Sequence, residues 1–473
     1  MRALAIAAFC LASSVAFPIG ADAQVPRPAG MGPRVPFLGS VPVTDATRVP
    51  TTLALSDALD LGLRHNLGIL LEEQRVRQAE GTRWQLLSGM IPDVSGVIRE
   101  SRQKVNLAAS GFGGFPGIPS LIGPFDVFDA RVSVRQSIVD LSAVHEARQG
   151  AAQLRAERFG YDDARTVVVQ AVASLYFMAV AAESRVAAAT AQTTTAEALY
   201  QLAVDQHQAG LVARLDVLRA DVERKATTQR RIAAENDLAR SRSALARAIG
   251  LPAGQTLSLV SMTFVPPLPS DTEATRAEAL RRRPDIRRAE ARVAAAESAL
   301  RAARAERLPS LSFDGNWGWV GSSPSTARGT FAAAAIVHLP IFAAGRVEAR
   351  VIDAEAVVKQ RELELMDLTA GLSYEVDTAL NDVRASAEQV AVSESAASLA
   401  EEALAQAGER FRAGVGSNIE VTQAQAAVAS AREGHITALY NHTLARASLG
   451  RVIGVDSRHF LAFLEGRAWQ TEQ

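Results

Sequence analysis

Two stretches of this chain repeat one design. "QHQAGLVARLDVLRAD" (206–221) and "RFRAGVGSNIEVTQAQ" (410–425) each lie between two long helical runs, and their glycines, Gly210 and Gly414, stand 204 residues apart. "RSALARAIG" (242–250) aligns with "RASLGRVIG" (446–454) at the same offset. Upstream, "RVRQAEGTRWQLLSGMIPDVS" from Arg75 matches "RVAAAESALRAARAERLPSLS" from Arg292 at an offset of 217. The extra length falls in the first copy, where the Gly/Pro-rich stretch Asn106 to Pro124 reads as a loop. A duplication of this kind is one extended repetitive architecture rather than two unrelated domains.

Each copy has one order of elements. A helix (about 68–91, then 285–308) ends before Pro92 or Pro309, and two strands follow. The strands fall at about 93–106 and 125–140 in the first copy, and about 309–320 and 329–342 in the second. A helical hairpin closes each copy, at 142–249 and 344–453, and the copies themselves span 53–250 and 285–453. The segments 24–52, 251–284 and 454–473 are left as an extended N-terminal piece, a linker and a C-terminal piece. The first arms of the hairpins are rich in Ala, Glu, Gln, Arg and Leu with no internal proline, so about 67 residues of each form a helix roughly 100 Å long. Alanines on several faces let neighbouring helices approach on both sides, as in a wall, whereas a two-stranded coiled coil carries one stripe of large residues.

The strands add a second constraint. Phe128, Ala130, Val132 and Val134 alternate with Asp129, Arg131, Ser133 and Arg135, while Phe313, Trp317 and Trp319 alternate with Asp314 and Asn316. This period of two, apolar on one side and polar on the other, is the pattern of an outer-membrane barrel with a wet lumen. Four strands cannot close a barrel, and an open edge is not tolerated in lipid, so several chains must combine. Three would make twelve strands continuous with twelve helices. Asp129, Arg131, Arg135, Asp314 and Asn316 would then face the lumen, with Trp317 and Trp319 toward lipid near an interface. The strand from Asp93 is the weakest, because Arg99, Glu100, Arg102 and Lys104 crowd it.

The start, "MRALAIAAFCLASSVAFPIGADA", has Arg2, an apolar run, and Ala21 and Ala23 before Gln24, which reads as a secretory signal peptide over 1–23. Cleavage there would remove Cys10, the one cysteine, and leave no thiol chemistry. The apolar run from Thr166 to Ala182 has the length of a short membrane helix. Its counterpart in the second copy, "GLSYEVDTALN" (371–381), is polar, so the run is expected to be buried packing. The formal net charge is −1, which gives no reason to expect nucleic acid. Seven histidines are scattered without H-E-x-x-H, and His435 and His442, on one helix face, are expected to be solvated. "GFGGFPG" (111–117) lacks the dinucleotide-loop spacing, and neither G-x-S-x-G nor a Walker motif occurs. Neither an enzyme, a cofactor nor a metal site is expected.

The run "RRRPDIRRAEARVAAAESALRAARAERLPSLS" (281–312) resembles the signature segment of TolC-like outer-membrane efflux factors. "LPIFAAGRVEARVIDAEA" (339–356) and "RFRAGVGSNIEV" resemble the same family, and the similarity covers about residues 53 to 455, nearest to the outer subunits of resistance-nodulation-division exporters. The resemblance implies a mainly α protein with a membrane β-barrel. It also implies a homotrimer in the outer membrane, a twelve-helix α-barrel through the periplasm, and an equatorial collar from the three short segments. It further implies a passive exit duct for small molecules such as drugs, toxic compounds or metal ions. A periplasmic adaptor (membrane fusion) protein would meet the hairpin tips, carried here to Gly210, Leu211, Arg214, Gly414, Val415 and Asn418, and an inner-membrane transporter would supply the energy. Family members commonly place an aspartate ring and an arginine just past the tip. This sequence has Gln423 and Ala426 there, on one face with Ile419, which shifts the expected gate to Asp216, Arg219, Ile419, Glu420 and Gln423. The exit duct of a type I protein-secretion system is an alternative within the architecture. A pore-less periplasmic coiled-coil scaffold is the alternative outside it.

Overall fold

The computed structural model of the chain describes residues 36–42, 51–107, 109, 119–252, 255, 257–260, 272–413 and 415–466. The expected signal peptide with Cys10, and the tip residue Gly414, lie outside them, as do parts of the three expected collar segments.

Nine helices and six strands follow one another among the described residues: β1 (Thr51–Leu53), α1 (Leu55–His65), α2 (Leu67–Ser88), β2 (Asp93–Asn106), β3 (Leu121–Val139), α3 (Leu141–Gln208), α4 (Arg214–Ile249), β4 (Leu257–Leu259), α5 (Thr272–Arg282), α6 (Pro284–Ala305), β5 (Ser310–Gly321), β6 (Arg328–His338), α7 (Arg346–Arg412), α8 (Asn418–Val452) and α9 (Phe460–Leu464). The helix boundaries follow from local chemistry. Asn66 accepts from the Gly68 amide at 2.9 Å and starts α2, and Asp140 accepts from Ala143 at 3.1 Å and starts α3, each satisfying an amide that the helix leaves free. Pro284 opens α6 where its missing N–H costs nothing. Gly250 (φ 83°) and Gly454 (φ 74°) sit at the same point of the two copies, just past α4 and α8, in the left-handed conformation that stops a helix. A Cβ on Gly250 would also lie 2.6 Å from the His65 side chain.

Several segments differ from the sequence reading. The piece expected as a linker contains α5, and the first helix of each copy is preceded by a separate short helix, α1 or α5. Strand β3 begins at Leu121, inside the expected loop, because Ile122 pairs with Val105 and Leu121 with Asn106. β6 stops at His338, short of the expected 342, in the residues before Pro340.

The four long strands form one antiparallel sheet in the order β2-β3-β5-β6. Its register pairs Val132 with Trp317 and Ala130 with Trp319, and Trp317 in turn with Phe331. One face therefore collects Val94, Ile98, Val132, Phe313, Trp317, Trp319, Phe331 and Val337. The other collects Asp129, Arg131, Ser133, Arg135, Asp314 and Asn316. On the apolar face of β2 the composition changes at Glu100 and Arg102, the latter 3.8 Å from Asp126 of β3. The charges that blur β2 in the sequence thus gather toward the end of the sheet that carries the β2–β3 loop.

The helices build a wall beside this sheet. α3 packs on α2, α4, α6 and α8, while α7 packs on α6 and α8. The core lies where α1, β1, β4, α5 and α9 join the wall. Val168, Val172, Ala173 and Tyr176 of α3 are wholly buried there with Leu55, Leu245, Val376 and Leu449. These α3 residues lie in the membrane-like run of the sequence, and the run is core. The Tyr176 hydroxyl, with one proton to donate, lies 2.8 Å from the Val260 carbonyl and 3.0 Å from the Leu53 carbonyl, fastening the paired strands β1 and β4 to α3. Burial drives its hydroxyl pKa up to about 12, so it stays a donor.

Candidate functional site: the hairpin ends and the sheet

The turn between α3 and α4 is closed by its backbone. Leu211 N–H donates to the Gln206 carbonyl (2.8 Å) and Gly210 N–H to that of His207 (3.0 Å), with Gly210 at φ 72°. His207 Nδ1 lies 2.9 Å from the Val212 carbonyl and braces the turn. Leu211 is 74% exposed, and Arg214 is exposed beside it. The second turn closes differently: Val415 and Gly416 N–H both donate to the Arg410 carbonyl at 3.0 Å. Ser417 starts α8 by accepting from the Glu420 amide at 3.3 Å, whereas Ala213 at the start of α4 has no cap side chain. Val415 is 70% exposed. Asn418 is the first residue of α8.

The expected gate residues fall into two local groups. Arg219 pairs with Asp216 one turn below it on α4 (3.7 Å). Glu420 pairs across the second turn with Arg410 (3.4 Å). The structure therefore does not draw Glu420 to Arg219, and each ion pair stays within its own hairpin. Ile419 and Gln423 are exposed on one face of α8 together with Ala426, while Val421 and Val428 fill the opposite side. In the sheet, Arg135 Nε and Nη2 both donate to Asp314 Oδ2 (3.2 and 3.1 Å), and Arg131 Nε to Asp129 Oδ1 (2.5 Å). Four of the five expected lumen residues thus form two ion pairs on the polar face, with Asn316 opposite Ser133 between them.

Three features escaped the sequence reading. Arg185 of α3 reaches across to α8, donating to Glu433 Oε1 (2.7 Å) and Thr437 Oγ1 (3.2 Å), so one hairpin is tied to the other. Nearer the turns, a cavity of 280 Å³ lies between the hairpins, lined by all four helices through residues such as Ala191, Thr227, Leu404 and Val428. The third is a correction. His442, expected to be solvated, is 1% exposed, and its Nδ1 lies 3.1 Å from Ser386 Oγ. Ser386 Oγ also donates to the Val383 carbonyl, which can only accept, so His442 Nδ1 carries the proton and donates to the serine. His435 and Ser393 repeat the arrangement seven residues away (3.2 Å). Burial, then the charge of Arg446, hold the His442 pKa below the ordinary 6.5. The heptad spacing of Ser386/Ser393 against His435/His442 was the available signal. Among the described residues there is no cluster of side chains suited to a metal ion.

Long paired hairpins, a two-faced sheet and a collar at their junction are the parts of an export channel, and relatives carry the same parts. The outer membrane efflux protein family matches residues 59–251 and 275–455, and the chain belongs to it. It is an efflux channel of the outer membrane, and the scaffold alternative falls with that assignment. Pyoverdine export outer membrane protein OpmQ of Pseudomonas aeruginosa is 25% identical over 390 residues, covering 80% of each chain. Among solved structures, VceC of Vibrio cholerae superposes with a TM-score of 0.73 at 16% identity, over 85% of this chain and 96% of that one. The open state of MtrE from Neisseria gonorrhoeae gives 0.73 at 19% identity, over 89% and 91%. At these identities the structures establish the fold.

Proposed function

We propose that three copies of this chain close into a twelve-stranded barrel continuous with a twelve-helix tube, forming the exit duct of a tripartite pump. The observation that carries this reading is a sheet with an apolar face, a polar face and two unpaired edges. Among the described residues β2 and β6 have no partner on their outer sides, and such edges are tolerated in lipid only if another copy pairs with them. The wall repeats the argument in helices. Within one chain the long helix of the first copy, α3, packs on the short helix of the second, α8. The duplication maps α3 onto α7 and α8 onto α4, so the free sides of α7 and α4 are two halves of the same contact, completed only by a neighbour.

In this arrangement the polar face with Asp129, Arg131, Arg135, Asp314 and Asn316 lines the pore, and its paired charges give weak ion preference. Trp317 and Trp319, with ring centroids 4.5 Å apart, face lipid. The exposed turn residues Gly210, Leu211, Arg214 and Val415, with Gly414 and Asn418 beside them in sequence, meet a periplasmic adaptor. That adaptor connects to an inner-membrane transporter, of the resistance-nodulation-division type, which selects the cargo and supplies the energy. The cargo is a small molecule, and the similarity to the pyoverdine exporter OpmQ supports screening pyoverdine beside drugs, toxic compounds and metal ions.

Planar-bilayer recording of the purified protein tests the reading. Discrete channels are expected, and Arg219→Ala combined with Glu420→Ala should raise their conductance by loosening both turn regions. Absence of channels would remove the duct, whereas channels with unchanged conductance would remove only these two residues from the gate.

A further inference from the structure

A charged cavity lies in the wall where α6 begins and α8 ends. It has a volume of 310 Å³ and is lined by residues including Asp163 and Gln170 of α3, Arg283 just before α6, Tyr374 and Asp382 of α7 and Arg451 of α8. That is the size of a small-molecule site. Arg283 is 8% exposed and already spent, donating to Asp285 (3.0 and 2.6 Å) and to Glu375. Among the described residues, no hydrogen bond or ion pair engages the side chains of Asp163, Asp382 or Arg451. Burial, then the charge of Asp285, push the Asp163 pKa up, as expected of a carboxylate with no cation in contact. Tyr374, 74% exposed, stands at the rim.

The repeat does not supply this chemistry twice. At the offsets of 217 and 204, the first copy has Asn66, Gly68, Ala171 and Met178 where the second has Arg283, Asp285, Glu375 and Asp382. The wall can therefore be built without these charges. The cavity also opens away from α9. A Cβ on Gly450 of α8 would lie 2.9 Å from the Phe463 ring of α9, whereas Ser448 and Val452, each about 160° from Gly450 around the helix, line the cavity.

We propose that this cavity is a site for a small zwitterionic solute, its ammonium held by Asp163 and Asp382 beside the Tyr374 ring and its carboxylate held by Arg451. A carboxylate accepts charge-assisted bonds from an ammonium, a guanidinium gives them to a carboxylate, and an exposed aromatic face adds to the attraction of a cation. One chain suffices for the site. Its role rests on the closed-ring reading above: collar elements on the inner side would fill the bore, so the collar lies outside and the cavity faces the path of the cargo. A duct site must release what it binds, so weak binding is what the function requires.

The test titrates the full-length protein in detergent with trialanine, a zwitterion at neutral pH, and with its carboxamide (a cation) and its N-acetyl form (an anion). Calorimetry should rank the zwitterion first, the cation second and the anion last, because two free carboxylates face one free guanidinium. Arg451→Gln should weaken the zwitterion several-fold and leave the cation no weaker. Asp163→Asn with Asp382→Asn should weaken both several-fold. An unchanged thermal midpoint shows that each variant is folded. Equal binding of the three peptides, or undiminished binding by the folded variants, would overturn the site. In planar bilayers trialanine should reduce the single-channel current of the native protein and spare that of the double variant. Binding with no effect on the current would overturn the place in the cargo path and leave the site. Absence of channels would overturn the duct, and the cargo role with it, while the titration still decides the site.

Discussion

The two hairpins have nearly the same length and the same turn position, and both carry ion pairs toward the turn (Arg224–Glu197 in the first, Arg432–Glu401 in the second), yet toward the collar they are held by different chemistry. In the first, Arg242 of α4 reaches Glu183 of α3 (3.1 Å), and Arg224 reaches Glu197 (3.3 Å), so ion pairs rung the hairpin like a ladder. In the second, the rungs at the collar end are the neutral bonds Ser386–His442 and Ser393–His435. The first contributes a wholly buried tyrosine to the collar core. The second contributes a buried histidine and Arg446, which donates to the Phe463 carbonyl (3.0 Å). At the turns the order reverses: the second carries a side-chain cap on its new helix, and the first has none at Ala213, its turn closed by backbone bonds, Gly210 and the His207 side chain. Duplication copied lengths and turns, because those depend on helix formers and glycine. It left the pairing chemistry free to diverge, because many complementary pairs can join two helices.

The largest effect is expected at the collar end of the first hairpin. Tyr176→Ala removes a buried ring and its hydroxyl's bonding to β1 and β4, and should cost about 3–5 kcal/mol. Tyr176→Phe keeps the packing but removes the donor from the Val260 carbonyl, while the Leu53 carbonyl keeps the Val260 amide, and should cost about 1–3 kcal/mol. Urea unfolding of the isolated protein checks both, and an undiminished stability of Tyr176→Phe would show that the hydroxyl carries nothing.

Acid should separate the hairpins next. The folded-state pKa of His442 lies below 6.5, so in the window under 6.5 the unfolded chain takes up a proton that the folded chain refuses, and stability falls as pH drops. Hydrogen exchange in α7 and α8 around residues 386 and 442 should quicken below pH 6.5, and His442→Gln should flatten that response. If amides at the collar end of α3 and α4 quickened equally, the difference between the hairpins would disappear.

A smaller effect is expected at the turns. Ser417→Ala should destabilise the start of α8 by about 1 kcal/mol, and Ala213→Ser should stabilise that of α4 by a similar amount. Local exchange rates would report both, and an unresponsive Ala213→Ser would mean that the first turn depends on its backbone bonds alone.

What the sequence displayed and what it hid divide along the same line. The spans of α3 and α7, expected at 142–208 and 344–412, are observed at 141–208 and 346–412, because helix propensity summed over many residues is a strong local signal. The two faces of β3 and β5 were visible in their alternation. β2 was ambiguous because its apolar face ends at Ile98 and continues into Glu100 and Arg102, a boundary that only the register with β3 reveals. The collar was illegible for another reason: β1 and β4 are three residues each and persist through Tyr176 and the core, not through their own propensity. His442 was read as solvated because the packing of α7, α3 and α9 on its helix is information that no single helix period contains. The residues assigned to adaptor contact and gating came from position in the repeat. The structure locates most of them at exposed turns and in hairpin-local ion pairs.

Electron microscopy of the detergent-extracted protein, with class averages end-on and from the side, tests the central claim most directly. The account predicts a hollow particle with threefold symmetry whose helical part alone extends roughly 100 Å, the length of α3 at 1.5 Å per residue. A compact particle, a solid rod without a lumen, or single chains with open sheet edges would contradict it.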